Sequence, residues 1–262
     1  MTTRIAVWGA SGRMGRVLQG LIDEDASCTL SAAIAHEVAP TVLSARNSLG
    51  VTSLTLAAGT EFDALIDFSR PDAFQSALAA AVLAKAAFVS GTTGLDADGF
   101  RALDAAATEI PVLWEPNMSV GVLVLARLVE QAVRALGEEF DVEIVEAHHR
   151  RKVDAPSGTA LRLGEAACRA RPELAAATAH GRDGQGGERP VSQHTSRAEL
   201  GYHAVRGGDV VGDHTVHLLG LGERLELTHR ATDRSVFARG ALRAAKALRG
   251  KAPGRYTLAD LI

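Results

Sequence analysis

Two adjacent histidines, His148 and His149, are followed at once by Arg150, Arg151 and Lys152, and then by Pro156, Ser157, Gly158 and Thr159. This stretch, 143–159, gathers most of the reactive side chains of the 262-residue chain. An imidazole is the side chain whose ordinary proton affinity suits donation near neutral pH. Ser157 precedes Gly158, Thr159 and the periodic run Ala160, Leu161, Leu163, Gly164, the pattern of a helix N-cap. The N–H groups at a helix start suit a carboxylate or phosphate, and Lys152 adds a charge beside them. Taken singly, the cations read as a solvated loop and the histidines as ordinary strand-end residues. A proton donor, a cation and a helix-start anion site together describe a reaction centre for an anionic substrate.

Strand, loop and helix must follow one another here to bring these groups together. Phe140, Val142 and Ile144 alternate with Asp141 and Glu143, the period of a half-buried strand, which His148 and His149 close. Pro156 cannot continue it.

A second organising motif stands at the N-terminus. The apolar run 5–8 is followed by Gly9, Gly12 and Gly15, then by an amphipathic segment through Val17, Leu18, Leu21 and Ile22. Strand, glycine turn and helix in that order form a dinucleotide-binding unit, with the helix start and Arg13 toward the phosphates. The spacing is G-x-x-G-x-x-G, with Ser11 where the commonest fingerprint has glycine. A strand predicted over 29–34 ends at Ala35, His36 and Glu37. Ala35 offers a ribose hydroxyl nothing, and no arginine stands there for a 2′-phosphate. Glu37 on the ribose, His36 on the adenine or a phosphate, and a plain exposed loop all fit, so NADPH and NADH stay open.

The β-α repetition continues with strands at 65–68, 88–89 and 112–114 and helices at 71–85 and 96–109, while 38–61 reads as loop with short local structure. Repeated β-α units imply a parallel sheet covered by helices on both faces. The loop Gly91, Thr92, Thr93, Gly94 and the turn Pro116, Asn117, Ser119 then lie at its carboxyl edge, where ligands of open α/β sheets bind. Asn117 and Ser119 also suit the cap of the helix that follows.

The domain boundary falls at 119/120. A glycine-rich stretch at 181–190 predicts a mobile loop, and short runs at 202–205, 210–211, 215–219 and 224–229 predict largely antiparallel strands. The fold class is α/β: a Rossmann-type dinucleotide-binding domain, 1–119, and an α+β domain, 120–233, with a mixed, largely antiparallel sheet. The segment 234–262, opening with an amphipathic helix at 235–248, packs back on the first domain. An open sheet in the second domain calls for cover, and self-association is one route. His214 and His217, three apart on a strand, point to opposite faces, so no metal site is expected.

Hydrophobic residues make up 47% of the chain and aromatics only 4%, so Ala, Leu and Val must pack the core. A net charge of −3 gives no global attraction to nucleic acid or a membrane surface, and neither partner is expected. Cys28 and Cys168 are isolated, as in a reducing, cytoplasmic setting.

With these motifs placed, the chain resembles the 4-hydroxy-tetrahydrodipicolinate reductase family, also called dihydrodipicolinate reductases. The resemblance runs nearly end to end through GASGRMG at 9–15, DFSRP at 67–71, GTTG at 91–94, PNMSVGV at 116–122, EAHHRRKVDAPSGTA at 146–160 and GDVVGDHT at 208–215. It implies a reductase of the diaminopimelate route to lysine, using NADPH or NADH on a cyclic dicarboxylate. It makes His148 the proton donor and Lys152 its catalytic partner, with His149, Ser157, Gly158 and Thr159 on the substrate carboxylates. The dinucleotide contacts it implies are Gly9, Ala10, Ser11, Gly12, Arg13, Met14, Gly91, Thr92, Thr93, Glu115, Pro116, Asn117 and Met118, with Ala35 and His36 at the ribose position. There the family often has an acid followed by arginine. A homotetramer built through the second domain, and closure between domains on binding, are also implied. Two other readings stand beside it: a dehydrogenase acting on aspartate or homoserine, and a non-catalytic dinucleotide sensor. The former has no need of the HHRRK and PSGT pair, nor the latter of a proton donor beside an anion pocket.

Overall fold

The structure, a computed structural model, describes residues 2–35, 49–51, 61–182, 189 and 198–261. The chain divides into two compact units, one comprising residues up to Ser119 with those from Arg234 onward, the other Val120–Asp233.

In the first unit, β1 (Thr3–Trp8) leads into α1 (Arg13–Glu24), β2 (Cys28–Ile34), β3 (Leu49–Val51), β4 (Ala64–Asp67), α2 (Pro71–Leu83), β5 (Ala87–Ser90), α3 (Ala97–Ala106) and β6 (Pro111–Trp114). Ile5, Ala6, Val7, Leu65, Ile66, Phe88 and Val89 are buried, because strands covered on both faces must be apolar at successive positions. Helix starts follow local chemistry: Pro71 occupies the first turn of α2, where its missing N–H costs nothing, and Asp96 caps α3 by accepting the Gly99 N–H at 2.8 Å.

The second unit carries α4 (Val120–Leu136), β7 (Asp141–His148), α5 (Gly158–Ala170), β8 (Thr178–His180), β9 (Leu200–Arg206), β10 (Gly212–Leu219) and β11 (Arg224–Ala231). The chain then returns to the first unit with α6 (Ser235–Leu248) and β12 (Gly254–Tyr256).

The first sheet runs β3-β2-β1-β4-β5-β6-β12 with every pairing parallel. Strand order reverses between β1 and β4, the place where dinucleotides bind in such sheets. Register aligns Trp8 with Asp67, Asp67 with Ser90, and Ser90 with Trp114, so the segments after four strands leave one edge together. Phe74, Ala77 and Leu78 of α2 and Leu103 of α3 pack on Ala6, Leu65, Phe88 and Val112, while α1 lies beside α6. The Lys246 ammonium holds the Asp25 carboxylate, just past α1, at 2.7 Å.

The second sheet runs β11-β10-β7-β9-β8. Buried and half-buried residues alternate along β7 and β10; Val142, Ile144, Val216 and Leu218 meet Leu125, Val129 and Val133 of α4 and Leu163 of α5. The opposite face, with Val145, Thr215 and His217, is only partly covered, and no helix of the described residues lies on it.

Three expectations change. The sheet is mixed, but only β11-β10-β7 is antiparallel; β7-β9 and β9-β8 are parallel, and the helical crossover α5 carries the chain from β7 to β8 in its original direction. Val210 and Val211 lie in the connection before β10 rather than in a strand, following a turn at Gly208, whose φ is +53°. Within 38–61, Leu49–Val51 is a parallel edge strand on β2, too short to show a period in sequence. The predicted loop at 181–190 lies mostly outside the described residues.

Candidate active site

Glu146 and His148 stand two apart on β7 and therefore share its buried face. The Glu146 carboxylate is 1% exposed and sits at the centre of a network. His148 Nδ1 lies 2.5 Å from Oε2. Arg206 donates from both terminal nitrogens, to Oε2 at 2.8 Å and to Oε1 at 2.7 Å, and also to the carbonyl of Asp154 at 2.7 Å. The Ser157 N–H donates to Oε1 at 3.1 Å.

Three strands and a helix start converge here. Arg206 ends β9 as the register partner of His148, and His214 on β10 is the partner of Glu146. The His214 ring meets that of His148 edge-on, centroids 5.1 Å apart, and its Nε2 lies 3.1 Å from Ser157 Oγ. Ser157 is the N-cap of α5, its Oγ accepting the Ala160 N–H at 3.2 Å, as predicted. Lys152 Nζ donates to both oxygens of the exposed Asp154 carboxylate, each at 2.8 Å.

Burial works to raise the Glu146 pKa, but Arg206 and His148 more than offset it and hold the group below the ordinary carboxylate value. Burial lowers the His148 pKa; the Glu146 charge opposes this, while Lys152 and Arg206 add to it, and the net shift is downward. His214, 3% exposed, is pushed down to about 4 by burial, with further lowering from His148, His229 and Lys152 against the pull of Glu146. Lys152 lowers the Asp154 pKa by its hydrogen bonds, against a smaller effect of burial.

The structure thus brings His148 and Ser157 onto one carboxylate, that of Glu146, with Lys152 near enough to act on His148 electrostatically. His149 lies one residue past the end of β7, half-buried, its Nδ1 buried without a hydrogen bond. Gly158 and Thr159 open α5, and Arg150 and Arg151 are exposed. Sequence reasoning quoted Glu146 only inside a motif, passed over Arg206, and weighed His214 only as a metal ligand. Among the described residues no group of three or more acidic, histidine or cysteine side chains is placed to hold a metal.

In the first unit, Gly9 adopts φ +74°, and a Cβ on Gly15 would fall 2.3 Å from the Gly9 carbonyl oxygen, so turn and helix meet backbone to backbone. Gly12 is the N-cap of α1 and supplies no side-chain cap, while Ser11, Gly12 and Arg13 are exposed and Met14 half-buried. A turn this close to backbone, with no side-chain cap on the helix start, fits a pyrophosphate.

The loop at Gly91 is held by a buried carboxylate. Asp67 Oδ2 accepts from Ser90 Oγ and from Thr92 Oγ1, each at 2.8 Å, and Oδ1 accepts the Ser69 N–H at 2.9 Å. Thr92 also donates its N–H to Ser90 Oγ at 3.1 Å and accepts from Trp114 Nε1 at 2.7 Å. Thr93, on the same loop, is exposed. After β6, Glu115 is buried and accepts from the Leu258 N–H at 3.4 Å. Pro116 is exposed, Met118 is buried, and Asn117 Oδ1 accepts the Ser119 N–H at 2.9 Å. Ala10 is anchored to β2 through its N–H and the Ile34 carbonyl at 2.9 Å. Ala35 follows β2, and the expectation at His36 lies outside the described residues.

Comparison with known proteins bears on both units. Residues 3–118 match the family profile described as dihydrodipicolinate reductase, N-terminus, and residues 121–262 match the one described as dihydrodipicolinate reductase, C-terminus. The chain belongs to the dihydrodipicolinate reductase family. A 4-hydroxy-tetrahydrodipicolinate reductase of Thiobacillus denitrificans is 46% identical over 270 residues, spanning 100% of this chain and 99% of that protein. The enzyme of the same name from Alkalilimnicola ehrlichii is 45% identical over 271 residues, with 100% and 99% covered. Among solved structures, dipicolinate-bound dihydrodipicolinate reductase from Paenisporosarcina sp. TG-14 shares the fold, with a TM-score of 0.79 at 21% identity and full coverage of both chains. No helix among the described residues is long and apolar enough to cross a membrane.

Proposed function

We propose that this chain reduces 4-hydroxy-tetrahydrodipicolinate to tetrahydrodipicolinate, with loss of water, in the diaminopimelate route to lysine. The observation that carries this is the buried His148 network beside the Ser157-capped helix start, in a chain whose two halves both match this family. When bound, NADPH or NADH supplies the hydride. Residues Gly9 to Met14, Gly91, Thr92, Thr93 and Glu115 to Met118 hold the dinucleotide, with Ala35 and His36 at its ribose.

On the substrate side, His149, Ser157, Gly158 and Thr159 take the carboxylates, and His148 with Lys152 supplies the proton. The downward shift of His148 leaves it mostly unprotonated at neutral pH in the free site. A dianionic substrate beside it opposes the lowering by Lys152 and Arg206, so binding itself raises its proton affinity. The Lys152–Asp154 pair is largely exposed on the Asp154 side, and a carboxylate of the substrate competes with Asp154 for the ammonium.

The partly covered face of the second sheet, with Val145, Thr215 and His217, supports a homotetramer built through that sheet. Two cysteines without a disulfide support a cytoplasmic setting.

The deciding assay supplies pure protein with the substrate, made in situ by its synthase, and follows oxidation of NADPH and NADH separately. Oxidation of at least one is expected; oxidation of neither overturns the reading. His148→Gln and Lys152→Ala should each lower turnover by roughly 10²- to 10⁴-fold while dinucleotide binding persists. Full activity in either removes that residue's role.

A further inference from the structure

We infer that Glu146, gripped by Arg206, fixes the tautomer of His148: Nδ1 keeps its proton, and Nε2 is the atom that exchanges one. This rests on the reading of His148 as the proton donor only for its catalytic consequence; the tautomer itself is a property of the network.

A carboxylate has about four lone-pair sites; on Glu146 three of them take fixed donors and the fourth faces His148 Nδ1. Oε1 accepts from Arg206 and from the Ser157 backbone; Oε2 accepts from Arg206 and faces His148 Nδ1 at 2.5 Å. The guanidinium and the peptide N–H cannot reverse and accept. With those two holding it ionised, the only role left to Nδ1 is donor. Arg206 and the Ser157 N–H stabilise the carboxylate as an anion, so Glu146 orients the ring rather than taking its proton. Glu146 and Arg206 are positioning residues.

Nε2 is then the working nitrogen, and the backbone leaves room beside it. A Cβ on Gly212, the first residue of β10, would lie 3.1 Å from His148 Nε2. Arg206 has a second attachment: its hydrogen bond to the Asp154 carbonyl ties the floor of the site to the loop that carries Lys152. The groups facing His148 are Glu146 from its own strand, Arg206 from β9, His214 from β10 and Lys152 from that loop, and His229 on β11 acts on His214.

The direct measurement is ¹⁵N NMR of histidine-labelled full-length protein above neutral pH. The chain has nine histidines, so the His148 signals are assigned by their loss in His148→Gln. The expected result is protonated Nδ1 and bare Nε2; the opposite tautomer overturns the inference without need of any further variant. In Glu146→Gln the amide NH₂ faces Nδ1 and turns it into an acceptor, so the ring should switch to Nε2–H and kcat should fall by roughly 10²-fold or more, with the KM for dinucleotide unchanged. Arg206→Met leaves the Glu146 charge unbalanced, so the pKa governing the pH–rate profile should rise by about one unit, and Arg206→Lys should restore part of that shift. A merely structural role moves neither tautomer nor profile. If His148→Gln is inactive but Glu146→Gln and Arg206→Met keep the wild-type tautomer and profile, this inference fails and the proposed function stands. If His148→Gln is fully active, the proton-donor reading fails, and the tautomer measurement still decides the rest.

Discussion

Asp67 of the first unit and Glu146 of the second are both buried carboxylates near strand ends, and the two are satisfied by opposite means. Asp67 accepts from two hydroxyls and one peptide N–H, with no cation on it among the described residues. Glu146 accepts from a guanidinium and a peptide N–H and faces an imidazole nitrogen. Hydroxyls are donors and acceptors at once and turn to suit their partner, whereas a guanidinium only donates. The first arrangement holds a loop of backbone in place; the second holds an imidazole ring against a buried charge. The difference lies in what each carboxylate holds, a loop of backbone in one case and a titratable ring in the other.

The comparison can be broken by making the same change on both sides. Glu146→Gln sets an NH₂ against donors that cannot reverse, so unfolding free energy should fall by about 3 kcal/mol, read by urea denaturation at pH 7. A loss equal to that of the Asp67 variant below would erase the distinction. The next largest effect is in pH. His214 is driven down to about 4 from 6.5, so it binds a proton more readily unfolded than folded in that interval. Stability should therefore drop as pH falls from about 6.5 to about 4, by of order 1–3 kcal/mol, and flatten below. His214→Gln should remove that part of the slope; an unchanged slope would place the acid sensitivity elsewhere. The smallest effect belongs to Asp67→Asn. Ser90 and Thr92 can turn to accept from the new amide while Oδ1 keeps the Ser69 N–H, so the loss should be about 1 kcal/mol. Dinucleotide affinity should weaken less than about tenfold, measured by fluorescence titration. A larger loss would show that Thr92 needs the carboxylate charge itself.

How much was visible in sequence follows the same division. The strand-loop-helix order around His148, the Ser157 cap, the glycine turn and the 235–248 helix are local, set by alternation, capping chemistry and the backbone freedom of glycine. Nothing local says that Arg206 pairs in register with His148, or His214 with Glu146, since those partners lie 58 and 68 residues apart in sequence and meet only through strand order. Local pattern also could not tell parallel from antiparallel neighbours in the second sheet. Glu146 carried a readable signal, since two residues before His148 on a strand puts it on the same face. Arg150 and Arg151, near it in sequence, are exposed, whereas the half-buried cation of the network, Arg206, comes from another strand.

The return of the chain at Arg234 has a consequence for how the molecule is made. The first unit is interrupted by the whole of the second, and α6 and β12 reach the first sheet only after 120–233 have been synthesised. The surface that α6 covers, and the Asp25 carboxylate that Lys246 holds, must wait for that length of chain. A second unit that folds on emergence shortens the effective loop to be closed and lowers its entropic cost. The second unit can therefore be complete while the first still lacks its last strand, which makes the older end of the polypeptide the younger fold.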